Sequence, residues 1–104
     1  MIVDVRTYTL VTRKTPQYLQ VFETYALPVM KRHGLELMGY YTSQIGALNQ
    51  VVHLWRYESL ADLERKRAAR DADPAWSDFL SRTEGMVLLQ ENKIMKPAAF
   101  SPQQ

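Results

Sequence analysis

The chain has 104 residues, of which 46% are apolar and 23% are charged, a composition typical of a single globular domain with its own core. The 13 basic and 11 acidic residues leave a net charge of +2, which is too small to indicate binding to nucleic acid or to an anionic membrane. Cysteine is absent, which excludes a disulfide framework, a thiolate zinc site and a cysteine nucleophile.

Targeting signals are not apparent in the sequence. No apolar run approaches the ~20 residues that a membrane-spanning helix needs. Residues 1–6 have neither a basic leader nor the apolar centre of a signal peptide. We therefore expect a cytoplasmic protein without a membrane partner.

The first predicted element is a strand over residues 2–11, where β-branched residues are enriched. Its two faces carry Val3, Val5, Thr7 and Thr9 on one side and Asp4, Arg6, Tyr8 and Leu10 on the other. A helix should follow, with Thr15 as its N-cap and Pro16 at its first position. Pro28 should bend or divide this helix. Gly34 is its predicted left-handed end.

A second strand is predicted over residues 35–43, and the densest run of β-forming residues, within residues 49–60, predicts a third that forms a hairpin with it. The faces of the third strand carry Val51, His53, Trp55 and Tyr57 on one side and Gln50, Val52, Leu54 and Arg56 on the other. Neither face is fully polar, so we expect both to be covered. Helices of the same chain can cover one face, and a partner or a ligand the other.

Two helices and a last strand complete the predicted order. Ser59 with Asp62 resembles a capping box, and Asp73 followed by Pro74 opens a short helix that Gly85 ends. Residues 86–95 predict a strand, and residues 97–104 an extended arm. The order β-α-β-β-α-(α)-β predicts one α+β domain over residues 1–104, with a ferredoxin-like four-stranded antiparallel sheet and helices on one face.

The sheet face that the helices leave bare should be aromatic. We expect it to carry a set with polar tips, namely Tyr8, Tyr40 or Tyr41, His53, Trp55 and Tyr57. Such a patch indicates an interface or a ligand surface. Two sheets packed around a twofold axis would cover it and enclose a lined cavity, which predicts a homodimer. The alternative is that these aromatic residues lie beneath the helices.

The segment from Leu48 to Leu60 resembles a NIPSNAP domain. Further matches in the expected order are Arg6-Thr7-Tyr8, Gly39-Tyr40-Tyr41-Thr42-Ser43, Asp73-Pro74-Ala75-Trp76 and Gln90-Glu91-Asn92. The resemblance implies the dimeric α+β barrel superfamily, which also contains small monooxygenases, haem-degrading enzymes and stress-responsive proteins. It implies no securely assigned set of catalytic residues.

His53 is the main candidate for chemistry, as a base, a proton shuttle or an axial ligand, and the alternative is a buried structural histidine. Arg6 could hold an anion, or it could pair with Asp4 or Glu91. Asn49 could orient a ligand carbonyl, or it could make only turn hydrogen bonds. With two histidines and no cysteine, the sequence predicts neither a metal site nor a cofactor.

Three functions remain open at this point. The first is a homodimer that binds a small, partly apolar and anionic organic ligand in a cavity lined by Arg6, Tyr8, Tyr40, His53 and Trp55. The second is a cofactor-independent monooxygenase or isomerase, with His53 as base and Arg6 or Asn49 stabilising an enolate or phenolate. The third is a purely structural module. The basic run over residues 64–70 is interleaved with acidic residues, which predicts a solvated, salt-bridged helix face and no nucleic-acid partner.

Overall fold

A computed structural model describes all 104 residues as one sheet with a layer of helices on one side. The elements are β1 (Ile2–Leu10), α1 (Thr15–Val21), a π-helical turn (Phe22–Ala26), α2 (Leu27–Arg32), β2 (Glu36–Thr42), β3 (Gln50–Tyr57), α3 (Leu60–Asp71), α4 (Pro74–Arg82) and β4 (Val87–Met95). The strands are antiparallel and lie in the order β2-β3-β1-β4. The predicted ferredoxin-like α+β architecture is therefore confirmed. No helix combines the length and the apolar character needed to cross a membrane.

The first helical region changes its hydrogen bonding in the middle. The Leu27 N–H donates to the Phe22 carbonyl five residues earlier, which makes this segment a π turn. Pro28 follows in the first turn of α2, so the predicted division near Leu27 is confirmed. The predicted cap is wrong by one residue, because Lys14 already has helical dihedral angles and takes the N-cap position, which leaves the Thr15 hydroxyl buried without a partner.

The remaining predicted caps are confirmed. Ser59 Oγ accepts a hydrogen bond from the Asp62 N–H at 3.1 Å, and the Asp62 carboxylate accepts one from the Glu58 N–H at 3.0 Å. Asp73 Oδ1 accepts one from the Ala75 N–H at 2.9 Å. These bonds determine where α3 and α4 begin, and therefore which side chains of each helix face the sheet.

The covered face of the sheet is the aromatic one. The Phe22 ring centroid lies 5.8 Å from that of His53 and 6.4 Å from that of Trp55. His53, Trp55 and Tyr57 are each at most 2% exposed. The prediction that the aromatic set lies on the bare face was therefore wrong, and the alternative placement beneath the helices is right. Packing these rings against Phe22 and Phe79 removes more apolar area from water than packing the smaller residues of the other face would.

The opposite face of the sheet, called the open face below, contacts no helix. It is formed by the alternate residues Val3, Val5, Thr7 and Thr9 of β1, Tyr41 of β2, Val52, Leu54 and Arg56 of β3, and Leu89, Glu91 and Lys93 of β4. The arm over residues 97–104 has no regular secondary structure. Its last two residues, Gln103 and Gln104, line a groove with Arg56 beside the open face.

Candidate ligand-binding cavity

A cavity of about 200 Å³ lies between the covered face of the sheet and the helices. Its walls include side chains from β1, β3 and β4, from the π turn, and from α3 and α4. A dry cavity of about 150 Å³ is known to hold benzene, so this space suits one ring with a small substituent.

Four of the five predicted ligand-binding residues line this cavity, namely Arg6, Tyr8, His53 and Trp55. Tyr40 does not line it. The Tyr40 ring stacks on His53, with centroids 4.5 Å apart and an interplanar angle of 8°, and it borders a separate groove beside Phe22. Tyr40 therefore packs against the His53 ring from outside the cavity.

Asn49 lies outside the cavity. It precedes His53 by four positions, which is ~13 Å along a strand. Its carbonyl accepts a hydrogen bond from the Leu10 N–H at 2.8 Å, and its φ is +58°, a left-handed turn conformation that asparagine tolerates. The structural interpretation of Asn49 is therefore right, and its assignment to the candidate catalytic group is wrong, because the chain places it at the end of the sheet.

The protonation of His53 follows from its bond to Trp55. The Trp55 indole N–H donates to His53 Nδ1 at 2.7 Å. An indole nitrogen can only donate, so Nδ1 carries the lone pair and the proton of the neutral ring is on Nε2. Burial and the Arg6 guanidinium lower the pKa of His53 to about 4, against the opposing effect of Asp4. His53 is therefore a neutral N–H donor at pH 7.

No protein group accepts the His53 Nε2–H, although this atom is buried. A buried donor without an acceptor is unfavourable, and native structures rarely leave one. As a base, His53 would have to take a proton at Nδ1 and lose its bond to Trp55. The geometry therefore favours a hydrogen-bond donor over the predicted general base.

Asp4 and Arg6 form the polar floor of the cavity. Asp4 is 1% exposed, and its Oδ2 accepts a hydrogen bond from Arg6 Nη1 at 3.0 Å, while Oδ1 accepts one from Asn92 Nδ2 at 3.1 Å. Arg6 Nε donates to Tyr8 Oη at 2.9 Å. Of the two predicted partners of Arg6, Asp4 is the right one. Glu91 lies on the open face opposite Thr7.

Two arginines of α3 also line the cavity, and neither was predicted from the sequence to do so. Arg70 is 8% exposed, its Nη2 donates to Asp71 Oδ1 at 2.8 Å, and its guanidinium lies 4.2 Å from the centroid of the Trp76 ring. Arg67, one turn earlier, is half-buried and makes no hydrogen bond or ion pair with the protein.

The prediction of a solvated, salt-bridged face on α3 is therefore right for Arg65 and Lys66 and wrong for Arg67 and Arg70. Arg65 and Lys66 pair with Asp62 at 2.7 and 3.0 Å, as predicted. Arg67 and Arg70 turn towards the body of the protein. The signal that could have found them is helical spacing, since Leu63, Arg67 and Arg70 recur at i, i+4 and i+7.

Similarity to known proteins agrees with this architecture. The family model for NIPSNAP matches residues 3–102. The chain belongs to the NIPSNAP family. The crystal structure of a NIPSNAP family protein with unknown function from Agrobacterium tumefaciens is 43% identical, with a TM-score of 0.95 over 100% of this chain and 94% of that one. Protein NipSnap of Drosophila melanogaster is 32% identical over 74 residues, which are 71% of this chain and 27% of that protein. This NIPSNAP chain spans about a quarter of the length of the curated relatives it matches.

A more distant structure shares the fold of this NIPSNAP domain. A putative antibiotic biosynthesis monooxygenase from Nitrosomonas europaea has a TM-score of 0.68 over 93% of this chain and 98% of that one, at 13% identity. Identity this low shows the fold alone. The predicted resemblance to NIPSNAP is confirmed, and the homodimer stays a prediction.

Proposed function

We propose that this NIPSNAP domain binds a small organic molecule, about one ring in size, between the sheet and the helices. The supporting observation is the buried His53 Nε2–H that lacks an acceptor, in a residue that lines a cavity of about 200 Å³. An acceptor atom of the ligand would satisfy that donor once the side chains around Nε2 shift to admit it. Phe22 and Trp55 would supply apolar contacts to the ring.

Binding is a better interpretation than proton abstraction for this site. His53 already holds its proton at Nε2, and its low pKa makes it a poor base at neutral pH. A purely structural module would gain nothing from a cavity of this size lined by a histidine with an unsatisfied donor. The function that fits both observations is recognition of a small molecule.

Filling the cavity should abolish binding. Val87 lines the cavity at the start of β4, an edge strand, so a Val87→Phe variant would place a ring in the space with limited strain. We expect benzoate, benzamide or phenol to shift the indole N–H signals of Trp55 and Trp76 saturably in the unmodified protein, because both residues line the cavity. In Val87→Phe these shifts should disappear while the NMR spectrum stays dispersed.

The matched control is Ser77→Phe, which adds the same ring at an exposed position of α4. This variant should bind like the unmodified protein. Absence of saturable shifts with all three compounds, or undiminished binding by Val87→Phe, would contradict the proposal.

We also propose that two copies pair through their open faces. This face lacks a helical cover, and large apolar side chains on it are exposed, including Tyr41 at 60% and Leu89 at 68%. A monomer seldom exposes several such residues on one face of a sheet. A second copy, related by a twofold axis, would cover them with the same residues.

A charge at the centre of the open face should separate the dimer. Val52 lies between Tyr41 of β2 and Thr7 of β1. Val52→Arg should raise the dimer dissociation constant by roughly 100-fold, because the interface would bury an unpaired guanidinium. Light scattering after size exclusion would measure the mass, and circular dichroism should stay unchanged. Ser77→Arg, on the helical side, should remain dimeric. A monomeric unmodified protein would contradict this assembly.

A further inference from the structure

We infer that the ligand of this cavity is an organic monocarboxylate whose carboxylate binds the guanidinium of Arg67. The inference rests on the proposed binding function and adds the chemical class of the ligand and the residue that selects it.

The charges of the side chains that line the cavity are not balanced. The lining contains three guanidinium groups, those of Arg6, Arg67 and Arg70, and one carboxylate, that of Asp4. Asp4 neutralises Arg6 through a salt bridge of 3.0 Å. Asp71, outside the lining, accepts from Arg70 at 2.8 Å. Arg67 is left as the cation of the cavity without a counterion.

Arg67 differs in its position on α3 from its two basic neighbours. Its neighbours Arg65 and Lys66 share the Asp62 carboxylate and have no place in the cavity lining. Arg67 is turned away from that pair and is half-buried against the cavity. Partial burial lowers the effective dielectric constant around this cation, which strengthens its attraction for an anion.

Tyr57 is a second donor in the same cavity lining as Arg67. It is 2% exposed and makes no hydrogen bond through its hydroxyl group. Burial and the Asp4 carboxylate raise the pKa of Tyr57, against the opposing effect of the Arg67 and Arg70 guanidinium groups. Tyr57 is therefore a neutral donor available to the same carboxylate.

The guanidinium group of Arg67 favours a carboxylate as the charged group of the ligand. A guanidinium presents two parallel N–H groups that match the two oxygens of a carboxylate. The space beside them accepts about one ring, and His53 offers a single further N–H. A dianion such as a phosphate ester would find one unpaired guanidinium, whereas a monocarboxylate is neutralised by it.

Benzoate and benzamide test the inference because they have the same shape and differ in charge. We expect benzoate to bind about 10-fold more tightly than benzamide, as judged by the indole N–H shifts of Trp55 and Trp76. Arg67→Gln should weaken benzoate binding by about 10-fold and leave benzamide unchanged. Added salt should weaken benzoate binding alone.

Arg65→Gln is the matched control, since Arg65 lies on α3 outside the cavity and its side chain is 71% exposed. It should change neither affinity. Equal affinities for the two compounds, or an equal loss of both in Arg67→Gln, would overturn the carboxylate inference and leave cavity binding in place. Binding of neither compound by the folded protein would overturn the inference, and failure of phenol to bind as well would overturn the proposed function.

Discussion

Replacing Arg6 with methionine should destabilise the fold by about 3–5 kcal/mol, because Asp4 would keep a buried carboxylate without a cation. Asp4 is 1% exposed and lies beneath the helices, where it has lost nearly all of its contact with bulk water. In the variant its remaining partner would be the amide of Asn92, at 3.1 Å. Urea denaturation followed by circular dichroism would measure the change in the free energy of unfolding.

A double variant separates the unpaired charge from the loss of packing. Arg6→Met combined with Asp4→Asn removes the buried charge and keeps an oxygen that can accept from Asn92. Most of the lost stability should return in this variant. Arg82→Met is the matched surface control, since its pair with Asp78 within α4 is exposed, and it should have little effect. A loss below about 1 kcal/mol in Arg6→Met would mean that water reaches Asp4 and that the floor of the cavity is open.

The free energy of unfolding should also decrease as the pH is lowered, because of His53. Its pKa is about 4 in the folded protein, whereas an unfolded histidine has a pKa of ~6.5. Since the unfolded chain takes up the proton first, this contribution is complete above pH ~6.5 and is lost as the pH falls towards about 4. At ~1.4 kcal/mol per pKa unit, the loss approaches roughly 3 kcal/mol at the acid end.

Comparing pH profiles isolates the effect of His53 from that of the carboxylates, which titrate in every variant. Urea unfolding at about pH 7, 5.5 and 4.5 should show a shallower loss of stability for His53→Gln than for the unmodified protein. If the profiles of His53→Gln and the unmodified protein coincide, His53 is not neutral and buried in the folded state.

Much of the site was predictable because residues two positions apart in a strand lie on the same face of the sheet. Arg6 and Tyr8 share one face of β1, and His53 and Trp55 share one face of β3, whatever lies above them. The register then pairs Arg6 with His53 directly across the sheet. Four members of the predicted set, Arg6, Tyr8, His53 and Trp55, therefore lie together, on the side of the sheet opposite to the predicted one.

The faces could not be assigned from alternation alone, since each face of β3 carries apolar residues. The choice depends on whether rings or smaller side chains fill the space beneath the helices. Phe22, at the π turn, meets His53 and Trp55 there, and Phe79 of α4 packs on Phe22. These residues are distant in the sequence, so no local pattern reports that they meet.

Charge patterning misled the interpretation of α3 for a similar reason. Local pairing describes Asp62 with Arg65 and Lys66 correctly, because these contacts lie within one turn. Arg67 and Arg70 are charged as well, but the side of the helix that they occupy faces the sheet. His33 is a further contact that no local pattern reports: at the end of α2, its Nε2 lies 2.8 Å from the carboxylate of Asp73, the N-cap of α4.

The sequence by itself determined the element order, the caps at Ser59 and Asp73, the left-handed residues Gly34 and Gly85, and the family. These features depend on backbone dihedral angles and on hydrogen bonds between residues only a few positions apart. Only the tertiary structure decided which sheet face is covered, and that Arg67 borders a cavity without a counterion. Both depend on how the helices pack over the sheet, which places residues far apart in the chain in contact and decides which of them lose their water.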